Sequence, residues 1–121
     1  MLPVQLIGDQ IRLKQVLVNL TKNALKFSSW KPVSILACYC ADKELLKVQI
    51  VDSGRGIRVD EMDKLFSLFG RLDRTKSENI EGIGMGLTIC KRIVDHCGGS
   101  IECYSAGENQ GSTFSFSMRM R

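Results

Sequence analysis

The alternation that runs from Leu46 to Asp52 constrains this chain more than any other feature. In the stretch LLKVQIVDSG, Leu46, Val48 and Ile50 fall on one side of an extended backbone, because successive strand residues point to opposite faces. A strand with that pattern has to bury its apolar side. Asp52 is the next residue in the same register, so a carboxylate is aimed at the face marked as buried. Turn capping would account for an Asp-x-Gly sequence taken alone. An inward carboxylate asks for more, namely a donor that satisfies it. Gly54 and Gly56 follow at once and permit a tight turn with close backbone approach.

The rest of the chain supplies elements for that strand to pack against. Asp9 is a good N-cap for a helix running to about Phe27. At 100° per residue, Leu13, Val16, Leu17, Leu20, Ala24 and Phe27 form one apolar stripe. Asn19, Asn23 and Lys26 lie within roughly 60° of one another on its flank. Pro32 breaks the chain, and strands over about Val33–Cys40 and Leu45–Val51 follow, joined by the polar turn ADKE. A short amphipathic helix over about 60–69 carries Met62, Leu65, Phe66 and Phe69. Residues 70–81 are polar and aperiodic, as expected of a functional lid or a disordered segment. They lead into GIGMGL and a helix whose inner side holds Leu87, Cys90, Ile93, Val94 and Cys97. Gly98-Gly99 stops that helix. Strands over about Ser100–Tyr104 and Ser112–Met118 end the sequence. The order predicts a two-layer α/β sandwich, with helices on one face of a mixed, mostly antiparallel sheet. Thr113, Ser115 and Ser117 predict a more polar second face.

Composition narrows the function. A length of 121 residues is enough for one domain with its own core. A net charge of +4 is compatible with an anionic ligand such as a nucleotide and too small to argue for nucleic acid. No apolar run approaches the ~20 residues of a membrane span, so no direct membrane contact is expected. Five cysteines, none in a C-x-x-C pair, and a single histidine argue against a zinc site and for reduced thiols. Reduced thiols fit a cytosolic or nuclear compartment, and the expected location is the cytoplasm, whether or not a parent protein is membrane-anchored.

Each polar feature has a plain explanation when taken singly. A solvated helix face accounts for Asn19, Asn23 and Lys26. The alternative is that asparagine oxygens hold a hard cation such as Mg²⁺ while lysine reaches a phosphate. GIGMGL is neither a P-loop nor a dinucleotide fingerprint, yet at a helix N-terminus its exposed N–H groups would suit phosphate. An adenine amine would satisfy Asp52. Phe66 and Phe69 read as core, and His96, at a helix C-terminus, as structural or solvent-facing.

The combination is far more specific. NLTKNALKFS, VDSGRGI, LFSLFGR, GIGMGLTICKRIVDHCGG and GSTFSF occur in this order over nearly the whole chain, from about Gly8 to Met118. Together they resemble the N, G1, F and G2 boxes, and the strand that follows them, in sensor histidine kinases. These are members of the GHKL superfamily, with gyrase, MutL and the heat-shock chaperone ATPases. The fold this resemblance implies is the Bergerat α/β sandwich.

The resemblance also implies roles. Asn23 would coordinate Mg²⁺ bridging the phosphates of ATP, with Asn19 helping to hold the metal and Lys26 the phosphates. Asp52 would receive the adenine amine, beside Gly54, Gly56 and Ile57. Gly82, Gly84 and Gly86, with Leu87, match the box where the lid meets phosphate, and Ser112 matches a hydroxyl supporting the adenine site. Arg71, Arg74 and Lys76 are lid candidates for phosphate. The ATPase branches carry a glutamate four residues before the metal-binding asparagine, as general base for water. Here that position is Asn19, and an amide cannot take a proton from water at neutral pH. The implied reaction is therefore transfer of the ATP γ-phosphate to a histidine on a separate dimerisation domain, which then serves a response regulator receiver domain.

Two departures shape the expected domain organisation. No histidine-bearing hairpin precedes the N box, and an edge strand and helix usual in such domains are expected to be missing. Residues 1–121 thus read as a catalytic, ATP-binding domain with a truncated N-terminal edge, whose sheet would be prone to self-association. The alternatives are a catalytically silent nucleotide-binding or interaction module, or a serine kinase or ATPase of the same superfamily.

Overall fold

The central strand sets the architecture. In the computed structural model, which describes residues 2, 3, 5–28, 31–54, 56, 78–107 and 109–121, and of residues 26, 27 and 78–86 the backbone alone, β2 (Leu45–Asp52) is flanked on both sides. It pairs antiparallel with β1 (Ser34–Cys40) through the 41–44 turn, and with β4 (Ser112–Arg119) on its other edge. β3 (Ile101–Tyr104) pairs with β4, which gives the order β1-β2-β4-β3. Leu46, Val48, Ile50 and Asp52 are buried and Lys47 and Gln49 exposed, as the alternation requires.

Two helices cover the inner face. α1 (Gln10–Phe27) starts where its cap predicts, with Arg12 N–H donating to Asp9 Oδ1 at 3.0 Å. Val16, Leu20 and Ala24 are fully buried, and Leu13 and Leu17 pack at the margin of the same core. The second helix, α2 (Glu78–His96), contributes Leu87, Cys90, Ile93 and Val94. It ends in a Schellman arrangement, with Gly98 at φ +69° and Gly99 N–H bonded to Val94 O at 2.9 Å. Phe114, Phe116 and Met118 of β4 close the core from below. The described residues thus form a two-layer α/β sandwich whose strand pairs are all antiparallel.

One expectation is corrected. The last helix does not wait for GIGMGL to finish: it begins at Glu78, so Gly82, Gly84 and Gly86 lie within its first half. Once the apolar turns around Leu87–Val94 nucleate a helix, propagation adds one hydrogen bond per residue, and this outweighs a run of poor helix formers. The outer face, with Lys47, Gln49, Glu102, Thr113 and Ser115, is the more polar one, as expected, although it is not uniformly so. Ser117 is itself buried, its Oγ accepting from Ser100 N–H at 3.0 Å, while Leu36 and Cys38 stand exposed on the same face. Finally, β1 shows its inner-face Ile35 and Ala37 to solvent, because the helices lie over β2 and β4 and not over this edge. The expected helix over 60–69, with Met62, Leu65, Phe66 and Phe69, falls outside the described residues. Among the described residues no helix is long and apolar enough to cross a membrane.

The chain ends are tied together. Arg121 N–H bonds to Ile7 O at 2.9 Å and Ile7 N–H to Arg121 O, while Tyr39 OH donates to Met120 O at 2.7 Å. Glu44, at φ +53°, sits between the guanidinium groups of Arg119 and Arg121 at 3.7 and 3.5 Å. These are ion-pair distances, too long for hydrogen bonds.

Candidate functional site

The site begins with a registered pair. β2 and β4 place Asp52 directly opposite Ser112, both on the inner face and both buried. Ser112 Oγ donates to Asp52 Oδ2 at 2.5 Å, and Gly54 N–H donates to Asp52 Oδ1 at 2.9 Å. A carboxylate has about four acceptor positions on its two oxygens. The two described donors fill two, so a buried anion at the end of the sheet keeps capacity for a further donor.

Glycine backbones crowd this carboxylate. Gly111, at φ +72°, donates its N–H to Gly54 O at 3.1 Å, and a Cβ there would stand 2.3 Å from Asp52 O. Gly56 has the same φ, and a Cβ on it would stand 2.0 Å from Gly107 O. Ser105 Oγ donates to Gly111 O at 2.7 Å and accepts from Gly107 N–H at 3.3 Å, which holds the 105–111 loop against the 52–56 turn. Neither glycine tolerates a side chain, and this close approach leaves the carboxylate a narrow, backbone-lined setting.

Cys103 adjoins it on the inner face, opposite Phe114 on β4. Burial first, and then the negative charge of Asp52, push the Cys103 thiol up to about 12. It therefore stays protonated across the physiological range and presents a small, neutral surface.

The second part of the site lies between the helices. The first half of α1, through Leu13 and Leu17, lies along Leu46, Val48 and Met120, at the end of β2 remote from Asp52. Farther along, Asn19 is half-buried and faces α2, its Nδ2 donating to Cys90 Sγ at 3.8 Å. Asn23 is also half-buried, one turn on along the same flank. Burial raises the Cys90 thiol pKa, partly offset by that hydrogen bond. Gly86 precedes Cys90 by one turn, so the G2 glycines share a helix with the residue that Asn19 touches.

The structure thus joins Asp52, Gly54, Gly56 and Ser112 at one place and brings Asn19 to α2, with Asn23 beside it. Lys26 is in the last turn of α1 and Gly82, Gly84 and Gly86 are in α2, with Leu87 buried beneath them in the core. The Lys26 side chain, Ile57, Arg71, Arg74 and Lys76 lie outside the described residues. The sequence reading missed Gly111, Ser105, Cys90 and Cys103. The GENQG turn marks Gly111 as loop chemistry without saying what it packs against, and the two cysteines look like ordinary small apolar residues.

An adenine nucleotide fits these residues, with a buried acceptor for an amine, backbone too close for side chains, and amide oxygens available for a hard cation. Comparison with known proteins points the same way. The family model described as histidine kinase-, DNA gyrase B- and HSP90-like ATPase matches residues 8–121. The chain is 39% identical to the autoinducer 2 sensor kinase/phosphatase LuxQ of Vibrio parahaemolyticus over 115 residues, covering 92% of this chain and 13% of that protein. It is 36% identical to the signal transduction histidine-protein kinase BarA of Escherichia coli over 121 residues, covering 98% of this chain and again 13% of the relative. It therefore spans only a small part of these curated relatives. Among solved structures, full-length ShkA in complex with AMPPNP superposes with a TM-score of 0.78 at 28% identity, over 98% of this chain and 23% of that one. The catalytic domain of the histidine kinase ThkA gives 0.72 at 31% identity, over 93% and 68%. The chain belongs to the family of histidine kinase-, DNA gyrase B- and HSP90-like ATPases, as a catalytic domain of the histidine-kinase type.

Proposed function

We propose that this domain binds ATP with Mg²⁺ and donates the γ-phosphoryl group to a histidine on a separate dimerisation domain, which passes it to a response regulator receiver domain. The observation that carries this reading is the buried Asp52 carboxylate, held by Ser112 Oγ and Gly54 N–H with acceptor capacity to spare. Asp52 recognises the base through its amine, and Ser112 and Gly54 fix the carboxylate so that it need not reorganise on binding. Gly56 keeps the backbone near the base, and Ile57, next in sequence, is assigned to the same part of the site. Asn23 and Asn19 offer amide oxygens to the cation, and Lys26 offers a positive charge to the phosphates. Gly82, Gly84 and Gly86 lie inside α2, where their N–H groups are taken up by the helix, so their part is to present a backbone without side chains on the helix beside Asn19. When bound, Mg²⁺ supplies neutralisation of the charge on the transferring phosphoryl group.

The kinase chemistry follows from what is absent at one position. With asparagine at position 19, the described residues offer no carboxylate there to deprotonate water, so the nucleotide is kept for another nucleophile. The work left to the domain is positioning and charge stabilisation. A cytoplasmic location goes with this reading, since all five cysteines are free thiols.

Titration calorimetry with ATP, with and without Mg²⁺, tests it. Wild type binds in a Mg²⁺-dependent manner, and Asp52→Asn and Asn23→Ala each lose affinity by about 10- to 100-fold. Asp52→Asn retains the fold, because its amide still accepts from Gly54 and donates to Ser112, but it sets an NH₂ group against the incoming amine. Transfer of label to a supplied dimerisation domain then completes the test. Binding without transfer would reduce the domain to a nucleotide-dependent interaction module, and no binding by wild type would sink the proposal.

A further inference from the structure

We infer that Cys90 is a positioning residue for Asn19, fixing which end of that side chain faces the cation. The contact is direct: Asn19 Nδ2 donates to Cys90 Sγ at 3.8 Å, from a half-buried position on α1 to a fully buried one on α2. An asparagine amide presents an oxygen acceptor on one side and an NH₂ donor on the other, and rotation about its last torsion exchanges them at little cost. Only the oxygen can serve a hard cation. With the nitrogen committed to sulfur, the oxygen is turned away from α2, and the donor cannot swing into the metal's place.

Sulfur suits this task. It is a weak acceptor, which holds the NH₂ without requiring the short approach that a hydroxyl would demand. Because Cys90 is packed in the core among apolar neighbours, its own side chain has no freedom to follow Asn19 away. The contact also ties the amide to the helix that carries Gly82, Gly84 and Gly86, so a shift of that helix would be felt at Asn19. This inference rests on the ATP–Mg²⁺ reading of Asn19 for its function, and on the hydrogen bond alone for its structural content.

Three variants separate acceptor from bulk. Cys90→Val fills the site, with some excess bulk, without an acceptor, Cys90→Ala removes both bulk and acceptor, and Cys90→Ser restores an acceptor. The first readout needs no nucleotide: the side-chain NH₂ resonances of Asn19 in a proton–nitrogen correlation spectrum, assigned by their loss in Asn19→Asp. They are expected to move in Cys90→Val and Cys90→Ala towards the values of an amide open to solvent, and to stay shifted from them in Cys90→Ser. The second readout is affinity for AMPPNP at saturating Mg²⁺, expected to fall about threefold to tenfold in the valine and alanine variants and to recover in serine. Affinity for AMPPNP without metal should be unchanged in all three. An unmoved Asn19 resonance in Cys90→Val would overturn the inference, as would an equal loss of affinity with and without metal. If wild type fails to bind AMPPNP at all, the functional reading falls, while the resonance comparison still decides whether Cys90 holds the amide.

Discussion

The two parts of the candidate site are built on different principles. At the end proposed for the base, Asp52 and Ser112 are registered partners on adjacent strands, and two backbone segments are pressed together at Gly54 and Gly111. Asp52 and Ser112 are placed by sheet geometry, which fixes direction every second residue, and the two turns beside them are locked by their mutual close approach. At the end proposed for the phosphates the groups are carried by helices. Asn19 and Asn23 come from α1, three glycines occupy the first half of α2, and the described link between the helices at this point is an amide–sulfur contact at 3.8 Å. Glycine in a helix interior costs about 1 kcal/mol each relative to alanine. One end is thus preorganised, and the other holds helical structure against its own composition. Such a division would suit the proposed function, in which a constant base is recognised and a phosphoryl group leaves.

If that contrast is right, adding one methyl group should have opposite effects at the two ends. The largest effect is expected from Gly111→Ala. Its Cβ would stand 2.3 Å from Asp52 O, at a φ of +72° that alanine adopts only with strain. The expected loss is on the order of 3 kcal/mol, read as a lower midpoint in urea unfolding. Next comes Ser112→Ala, which removes the hydroxyl donor from a buried carboxylate and should cost about 1.5–3 kcal/mol. It should also weaken ATP binding more than it weakens the fold, which calorimetry on the folded variant would show. A base end that absorbed both changes without loss would not be preorganised.

The legibility of the sequence follows the same division. Period-2 alternation placed Asp52 with Ile50 and Ser112 with Phe114, so the base end could be read before any coordinates, as could the Asp9 cap and the Gly98-Gly99 stop. What could not be read was which loop packs on which. Gly111 looks like any turn glycine until Asp52 O is found beneath it, and Ser105 shows its purpose only through the carbonyl of Gly111. At the other end, local propensity misled. Three glycines in five residues look like loop, whereas α2 runs through them from Glu78, because cooperative propagation from a well-packed turn is not a property of any one residue. Asn19 and Cys90 are 71 positions apart, and nothing in either neighbourhood announces the other.

A smaller effect, of opposite sign, is expected from Gly86→Ala. Within α2, one turn before Cys90, alanine removes conformational freedom from the unfolded chain and should stabilise the domain by about 0.5–1 kcal/mol. A rise in thermal midpoint of the nucleotide-free protein would support the contrast. A fall would show that this glycine is needed for close packing in the fold itself, and the two ends would then be alike.

The last effect is confined to alkaline pH and probes whether the Asp52 charge is felt beyond its two hydrogen bonds. The folded-state pKa of Cys103 is raised from 9.0 to about 12, with burial the larger cause and Asp52 the second. A thiol with a raised folded pKa binds its proton more tightly in the native than in the unfolded state. Its contribution is therefore fully present below pH 9.0 and is lost as pH climbs from there through about 12, because the unfolded chain ionises first. Wild type and Cys103→Val should give parallel unfolding midpoints from pH 6 to 8 and diverge above 9, with wild type falling faster. Adding Asp52→Asn should narrow that divergence without abolishing it, since burial remains. If Asp52→Asn left the divergence untouched, the carboxylate's field would end at Ser112 and Gly54, and the base end would be held by hydrogen bonds alone.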